Sequence, residues 1–231
     1  MNKIRSEYIP ALSFDRLTAL YDPAMRWFMR ESIFKRRLVE QGKVEKGQRV
    51  LDLGCGTATL AILIKKARPG ADVIGIDGDR SILRIAASKM RKQGLNIPLF
   101  DAMAFDLPCP DNYFDRVFAS LLFHHLTREN KIRTIAEVHR VLKPGGELHV
   151  ADFGAPQNAL MRFVSLLTRH LEKASDNVQG LLQGMIASAG FEVVDVTAHY
   201  MTILGTMSLF RARKTMKTSA AYFGGRERLL C

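Results

Sequence analysis

The stretch RVLDLGCGTATLAI, Arg49 to Ile62, decides the fold. An apolar run from Val50 to Leu53 leads into Gly54-Cys55-Gly56 and then into a helix-compatible segment, the order strand, tight turn, helix. Such an order commonly offers backbone N–H groups and a helix N-terminus to a phosphate. Two residues depart from the dinucleotide version. Asp52 stands inside the apolar run, and Thr59 takes the place of the third glycine, which would bring helix and strand into close contact. A carboxylate beside the turn repels phosphate and favours a ligand that carries an ammonium or a sulfonium.

Working outward, strand-like and helix-like segments alternate over about 100 residues. DVIGIDG follows the first helix, then a helical segment through Ile82, Leu83, Ile85, Ala86 and Met90, then short strands at IPLFDA and FDRVFAS. The helix RENKIRTIAEVHRVL is expected to stop at Pro144-Gly145-Gly146, and ELHVADF reads as the next strand. Alternation of this kind predicts an α/β fold with a doubly wound, mostly parallel sheet and helices on both faces. The C-terminal part differs: residues 156–189 look helical, with Leu160, Phe163, Val164, Leu166 and Leu167 at mostly helical spacing, a stripe that is more often core than a substrate wall. FEVVDVTAHY and ILGTMSLFRARK are two strands too close for a parallel return, hence antiparallel.

The composition sets the class. At 231 residues and 47% hydrophobic, the chain can bury a full core as one domain. The opening MNKIRSEYIPALSF has no apolar stretch of signal-peptide length, and YMTILGTMSLF is too short to span a bilayer. Cys55, Cys109 and Cys231 lack metal or disulfide spacing, so a reduced, cytoplasmic protein is expected. No metal site is expected, because two adjacent histidines without a spaced third ligand make no credible set. The net charge of +11 is concentrated at the ends: residues 1–50 carry eleven Lys/Arg against six Asp/Glu, and residues 203–231 carry six against one. Basic ends can hold nucleic acid or an anionic surface, but a solvated helix face plus a tail is the favoured reading of RWFMRESIFKRR and of the C-terminus.

The second strand ends in Gly75-Ile76-Asp77-Gly78-Asp79, and Asp77 lies 25 residues after Asp52. That is near the spacing at which an acid holds a ribose hydroxyl pair with both carboxylate oxygens. A nucleoside joined to a cationic, phosphate-free group describes S-adenosylmethionine.

VLDLGCGTATLAI, GIDGD, FDLPCPDNYFDRVFASLLFHHL and RVLKPGGELHVADF, taken in order, resemble the successive motifs of class I S-adenosylmethionine-dependent methyltransferases. The resemblance covers residues 12–155 and is nearest to the ubiquinone and menaquinone C-methyltransferase-like group, whose opening helix FDRLTALYDPAMRWFM resembles. It implies a seven-stranded Rossmann-like sheet with a reversed last strand. It also implies a division into a helical lid (1–45), a donor-binding core (46–155), a substrate-side helical insertion (156–190), a strand pair (191–214) and a basic tail (215–231). Gly54 and Gly56 would bring backbone to the methionine moiety, with Asp52 favouring its ammonium directly or through water. Asp77, beside Gly78, would take the ribose hydroxyls, and Tyr21 would cover the methionine carboxylate end. Ser120 or Leu121 would offer a backbone group. For the adenine, Met103 and Ala104 are favoured by distance to Leu107-Pro108, while Asp101 with Ala102 matches by residue type.

The implied reaction is in-line transfer of methyl to a small apolar or aromatic acceptor, at oxygen or carbon, leaving S-adenosylhomocysteine. Positioning alone supplies roughly 7–11 kcal/mol of such a reaction. A base is needed only where the acceptor must lose a proton. His124 and His125 follow the fourth strand; if its period of two persists they point opposite ways, and His125 is the preferred catalytic candidate, with a capping or core role the alternative for either. A methyltransferase acting on RNA or protein has less in its favour, since no Asn-Pro-Pro-Tyr-like tetrad is present and Pro108-Cys109 precedes the fourth strand. A protein that binds the donor without methyl transfer is the remaining reading. Asp77→Ala should weaken donor binding by roughly 1.5–3 kcal/mol, as loss of charge-assisted hydrogen bonds does. Calorimetric titration checks this, and unchanged affinity contradicts the ribose assignment.

Overall fold

The computed structural model describes residues 31–168 and 175–216. In chain order its elements are α1 (Glu31–Gly42), β1 (Arg49–Leu53), α2 (Thr59–Ala67), β2 (Asp72–Asp77), α3 (Arg80–Arg91), β3 (Leu99–Asp101) and β4 (Phe114–Ser120). There follow α4 (Arg128–Val141), β5 (Leu142–Phe153), α5 (Ala159–Thr168), α6 (Ser175–Val178), α7 (Leu181–Ser188), β6 (Phe191–Thr202) and β7 (Gly205–Lys214). The seven strands form one sheet in the order β3-β2-β1-β4-β5-β7-β6. All pairs from β3 to β5 are parallel, and β7 runs antiparallel to both β5 and β6. The expected doubly wound sheet with one reversed last strand is therefore what forms.

Period-two alternation splits the strands between two cores. Leu51, Leu53, Val117 and Ala119 face α4 and α7, packing with Ile135, Val138, Leu182 and Ile186. Val50, Val73 and Phe118 face the other way, against Phe34 and Leu38 of α1, Leu60 and Ile64 of α2, and Ala86 and Met90 of α3. Burial on both faces explains why β1 and β2 read as nearly continuous apolar runs, and why a charged residue such as Asp52 stands out in one.

Two expectations need correction. The helix before Pro144 ends at Val141, but LKPGG is no free turn: β5 already begins at Leu142. Its pairing with β4 runs Phe114 to Leu142 and then Arg116 to Glu147, so residues 143–146 bulge opposite Asp115 alone. In α5, Leu160 and Phe163 are exposed rather than core, while Met161 is buried. Cys55 carries a free, buried thiol. Residues 1–30 of the expected lid and 217–231 of the expected tail lie outside the described residues. No helix among the described residues is long and apolar enough to cross a membrane.

Helix α1 is fixed to the sheet at its end. Arg116 Nε donates to Gly42 O at 2.9 Å, and a Cβ on Gly42 would lie 2.3 Å from Cζ of the fully buried Phe118. Gly42→Ala should cost about 1–3 kcal/mol through overpacking, read from urea unfolding. A wild-type midpoint would contradict this docking of α1.

Candidate active site

The strand order reverses between β1 and β4, so the loops leaving their carboxyl ends diverge to opposite faces and leave a crevice. A cavity of about 270 Å³ occupies it, walled by the loops after β1, β2, β3 and β4 and by the start of α1. In the first loop, Gly54 and Gly56 have φ of +66° and +53°, a conformation glycine adopts without cost. A Cβ on Gly54 would come within 2.7 Å of Leu122 Cδ1, whereas one on Gly56 would meet nothing within 4 Å. Gly56 thus lines the cavity with bare backbone beside open space.

The two carboxylates do different things. Asp77 lines the cavity; its Oδ2 accepts from Gly56 N at 2.8 Å and its Oδ1 from Asp79 N at 3.0 Å. Each oxygen keeps a further lone pair for a ligand hydroxyl. Burial raises the Asp77 pKa, opposed by these N–H donors. Asp52 is 1% exposed and is not on the cavity wall. Its Oδ2 accepts at 2.8 Å from Ala61 N, in the first turn of α2, where the preceding Ala58 has no capping side chain. Burial lifts the Asp52 pKa to about 7, against the nearby positive charge of Lys35 and the Ala61 bond.

The loop after β4 departs from the sequence reading. Leu121 takes φ +58°, which ends the strand, and Phe123–His125 form a 3-10 turn, so the period of two does not reach the histidines. His125 lines the cavity. His124 is buried, its ring 4.0 Å from that of His125, with Nδ1 2.8 Å from Asp152 Oδ1. Asp152 also accepts from Phe123 N, Phe153 N and Asn177 Nδ2 at 2.7, 2.8 and 3.1 Å. Burial alone would raise the Asp152 pKa, but the His124 ring and these donors outweigh it and hold it below the ordinary value. Ser120 Oγ is buried on the cavity wall with no hydrogen-bond partner.

Of the remaining candidates, Gly78, Met103, Ala104, Ser120 and Leu121 all line the cavity. A Cβ on Gly78 would come 2.8 Å from Met103 Sδ, so the loops after β2 and β3 pack closely there. Asp101 is not on the wall and pairs with Arg80. Tyr21 lies outside the described residues. Sequence reasoning missed Glu31 and Lys35, which reach the cavity from α1, and Thr57 and Phe105. The only signal for the first two was an i, i+4 acid–base pair on a helix with an apolar stripe.

Comparison with known proteins bears on this geometry. Residues 50–146 match a family model described as a methyltransferase domain. The chain is 32% identical over 179 residues to demethylmenaquinone methyltransferase from Thermus thermophilus, covering 78% of this chain and 76% of that one. It is 33% identical over 207 residues to the ubiquinone/menaquinone biosynthesis C-methyltransferase UbiE of Pseudomonas fluorescens, covering 79% and 78%. In fold it is similar to phosphoethanolamine N-methyltransferase 2 of Haemonchus contortus, solved with S-adenosyl-L-methionine, with a TM-score of 0.67 at 16% identity over 83% of this chain and 56% of that one.

The chain belongs to the class I S-adenosylmethionine-dependent methyltransferases. As a member it is an enzyme that uses S-adenosylmethionine for methyl transfer to a small molecule, and the RNA, protein and non-transferring readings are not favoured. The cavity has features that suit such a donor: Gly56 presents bare backbone beside open space, and Ser120 Oγ is a buried polar atom without a hydrogen-bond partner. Among the described residues no group of three potential metal ligands occurs.

The Asp52 pKa has a consequence for stability. Its folded value of about 7 exceeds the unfolded value of roughly 3.9, so the folded state holds the proton more tightly. The associated stability is complete below about pH 4 and is lost as pH rises through about 7. Asp52→Asn keeps an acceptor for Ala61 N and removes the titration. The variant should therefore gain on the wild type steadily from pH 4 to 8 in urea unfolding of the donor-free protein. A pH-independent difference would contradict the assignment.

Proposed function

We propose that this methyltransferase acts on a ring carbon of a small hydroxylated aromatic of the quinol type. The observation that carries the reading is the likeness, over more than three quarters of the chain, to enzymes named for methylating demethylmenaquinone and ubiquinone precursors. The apolar walls at Ile76, Ala102, Phe105, Leu122 and Leu126 suit such a ring.

In this reading Gly54 and Gly56 bring backbone to the methionine moiety of the donor, while Asp52, buried behind that turn, holds the turn in shape and does not touch the ammonium as the sequence suggested. Asp77, next to Gly78, takes the ribose hydroxyls. Met103 and Ala104, both on the cavity wall, serve the adenine with their backbone, whereas Asp101 is off that wall, and Ser120 or Leu121 adds a further group. The donor supplies a methyl on a positively charged sulfur.

His125 then acts as base. A ring nitrogen accepts the acceptor's hydroxyl proton, which moves negative charge onto the adjacent ring carbon. That carbon forms a bond to the methyl as the methyl–sulfur bond breaks, and loss of the ring hydrogen restores aromaticity. His124, fixed by Asp152, holds the His125 turn in place.

The test is turnover of a short-chain demethylated naphthoquinol, kept reduced, followed by product mass. The wild type should add one methyl to the ring. His125→Ala should lower kcat by about 10²–10⁴ with donor affinity unchanged, as removal of a general base does. An unaltered kcat would overturn the role of His125, and absence of product from the wild type would overturn the acceptor.

A further inference from the structure

Glu31 and Lys35 form an ion pair at 2.6 Å one helical turn apart on α1, and both side chains line the cavity. They are hardly solvated: the side chains are 12% and 14% exposed. Their neighbours Phe34 and Leu38 are fully buried, so the helix cannot rotate the pair away from the cavity without uncovering its core face. Lys35 is also the leading positive influence on buried Asp52. An ammonium at the edge of a cavity, desolvated and already pointed by an acid, is arranged to receive an anionic ligand group. The donor has one anionic group, the carboxylate of its amino-acid end. The adenosine end, by contrast, lies with Asp77 in the reading above.

We propose that Lys35 is the anchor for the donor's carboxylate, held in position by Glu31. The proposal rests on the donor placement given under the proposed function and adds to it the group that distinguishes the intact donor from its fragments. On binding, the Lys35 ammonium donates to the ligand carboxylate. Glu31 keeps the lysine stem against the wall, and its carboxylate balances the ligand's own ammonium. A pair that is neutral when no ligand is bound thus meets a ligand end that is itself zwitterionic. No net charge is added to the low-dielectric end of the cavity, which limits the cost of burial there. Lys35 therefore reads the amino-acid end, while Asp77 reads the ribose.

The test is calorimetric titration of the full chain with three probes. S-adenosylhomocysteine carries both groups of the amino-acid end, decarboxylated S-adenosylmethionine carries the ammonium alone, and 5′-methylthioadenosine carries neither. Lys35→Met keeps the stem and its packing, and Lys35→Arg keeps the charge. Lys35→Met should weaken S-adenosylhomocysteine by roughly tenfold or more, the effect of losing one charge-assisted hydrogen bond. Decarboxylated donor and 5′-methylthioadenosine should bind the variant as they bind the wild type, and Lys35→Arg should restore most of the loss.

Equal weakening of all three probes would overturn the proposal, since Lys35 would then only shape the cavity. Weakening of the decarboxylated donor along with S-adenosylhomocysteine would also overturn it, because Lys35 would then act through Asp52 and the ammonium. Unchanged S-adenosylhomocysteine affinity overturns it directly. Failure of the wild type to bind S-adenosylhomocysteine is a distinct result and overturns the donor placement itself.

Discussion

The hydrogen bond from Ala61 N to Asp52 Oδ2 is the constraint on which the site depends. Helix α2 starts at a left-handed Ala58 that has no side chain able to cap it, so its first turn needs an acceptor from elsewhere. Asp52 supplies that acceptor from β1, buried and at the position where the sheet changes direction. The bond clamps strand and helix together across the intervening Gly54–Gly56 turn. Asp77 then ties the same turn to β2 through Gly56 N. Two carboxylates thereby fix the floor of the cavity before any ligand arrives, which is the preorganisation that an alignment-driven reaction requires.

The opposite wall is built on a third buried acid. Asp152, at the end of β5, collects the Phe123 and Phe153 amides, the His124 ring and Asn177. Through these bonds it joins the loop after β4 to α6, which belongs to the helical segment that follows the core motifs. His125 owes its place on the cavity wall to that network, because the 3-10 turn is held on the side away from the cavity by His124. The two sides of the crevice are thus organised by carboxylates that strands carry into the interior, where their hydrogen bonds offset the cost of burial.

Much of this was legible in the sequence, for a definite reason. The turn after β1, Asp77 and the alternation of strands and helices rest on local rules of period and spacing, and these survive in the folded chain. What failed involved partners distant in sequence. His124 and His125 looked like a continued strand, but the left-handed Leu121 lets the chain break there, supported by pairing of Leu121 N with Ala151 O. Pro144-Gly145-Gly146 looked like a turn, yet β4 accommodates it as a bulge. Lys35 sat in a basic helix segment that reads as a solvated face. Only the docking of α1 against Phe118 reveals that this part of the helix faces the cavity. The stripe in α5 failed in the converse way: helical spacing gave Leu160 and Phe163 as core, but the sheet covers only the side bearing Met161.

The most direct measurement is calorimetric titration of the wild-type chain with S-adenosylmethionine and S-adenosylhomocysteine, with NAD as the control. A cavity floored by the Gly54–Gly56 turn, with Asp52 buried behind that turn and Asp77 on the wall in the proposed ribose role, predicts micromolar binding of the first two and none of NAD. Binding of NAD, or no binding of either sulfur nucleoside, would contradict the account of how these carboxylates select the ligand.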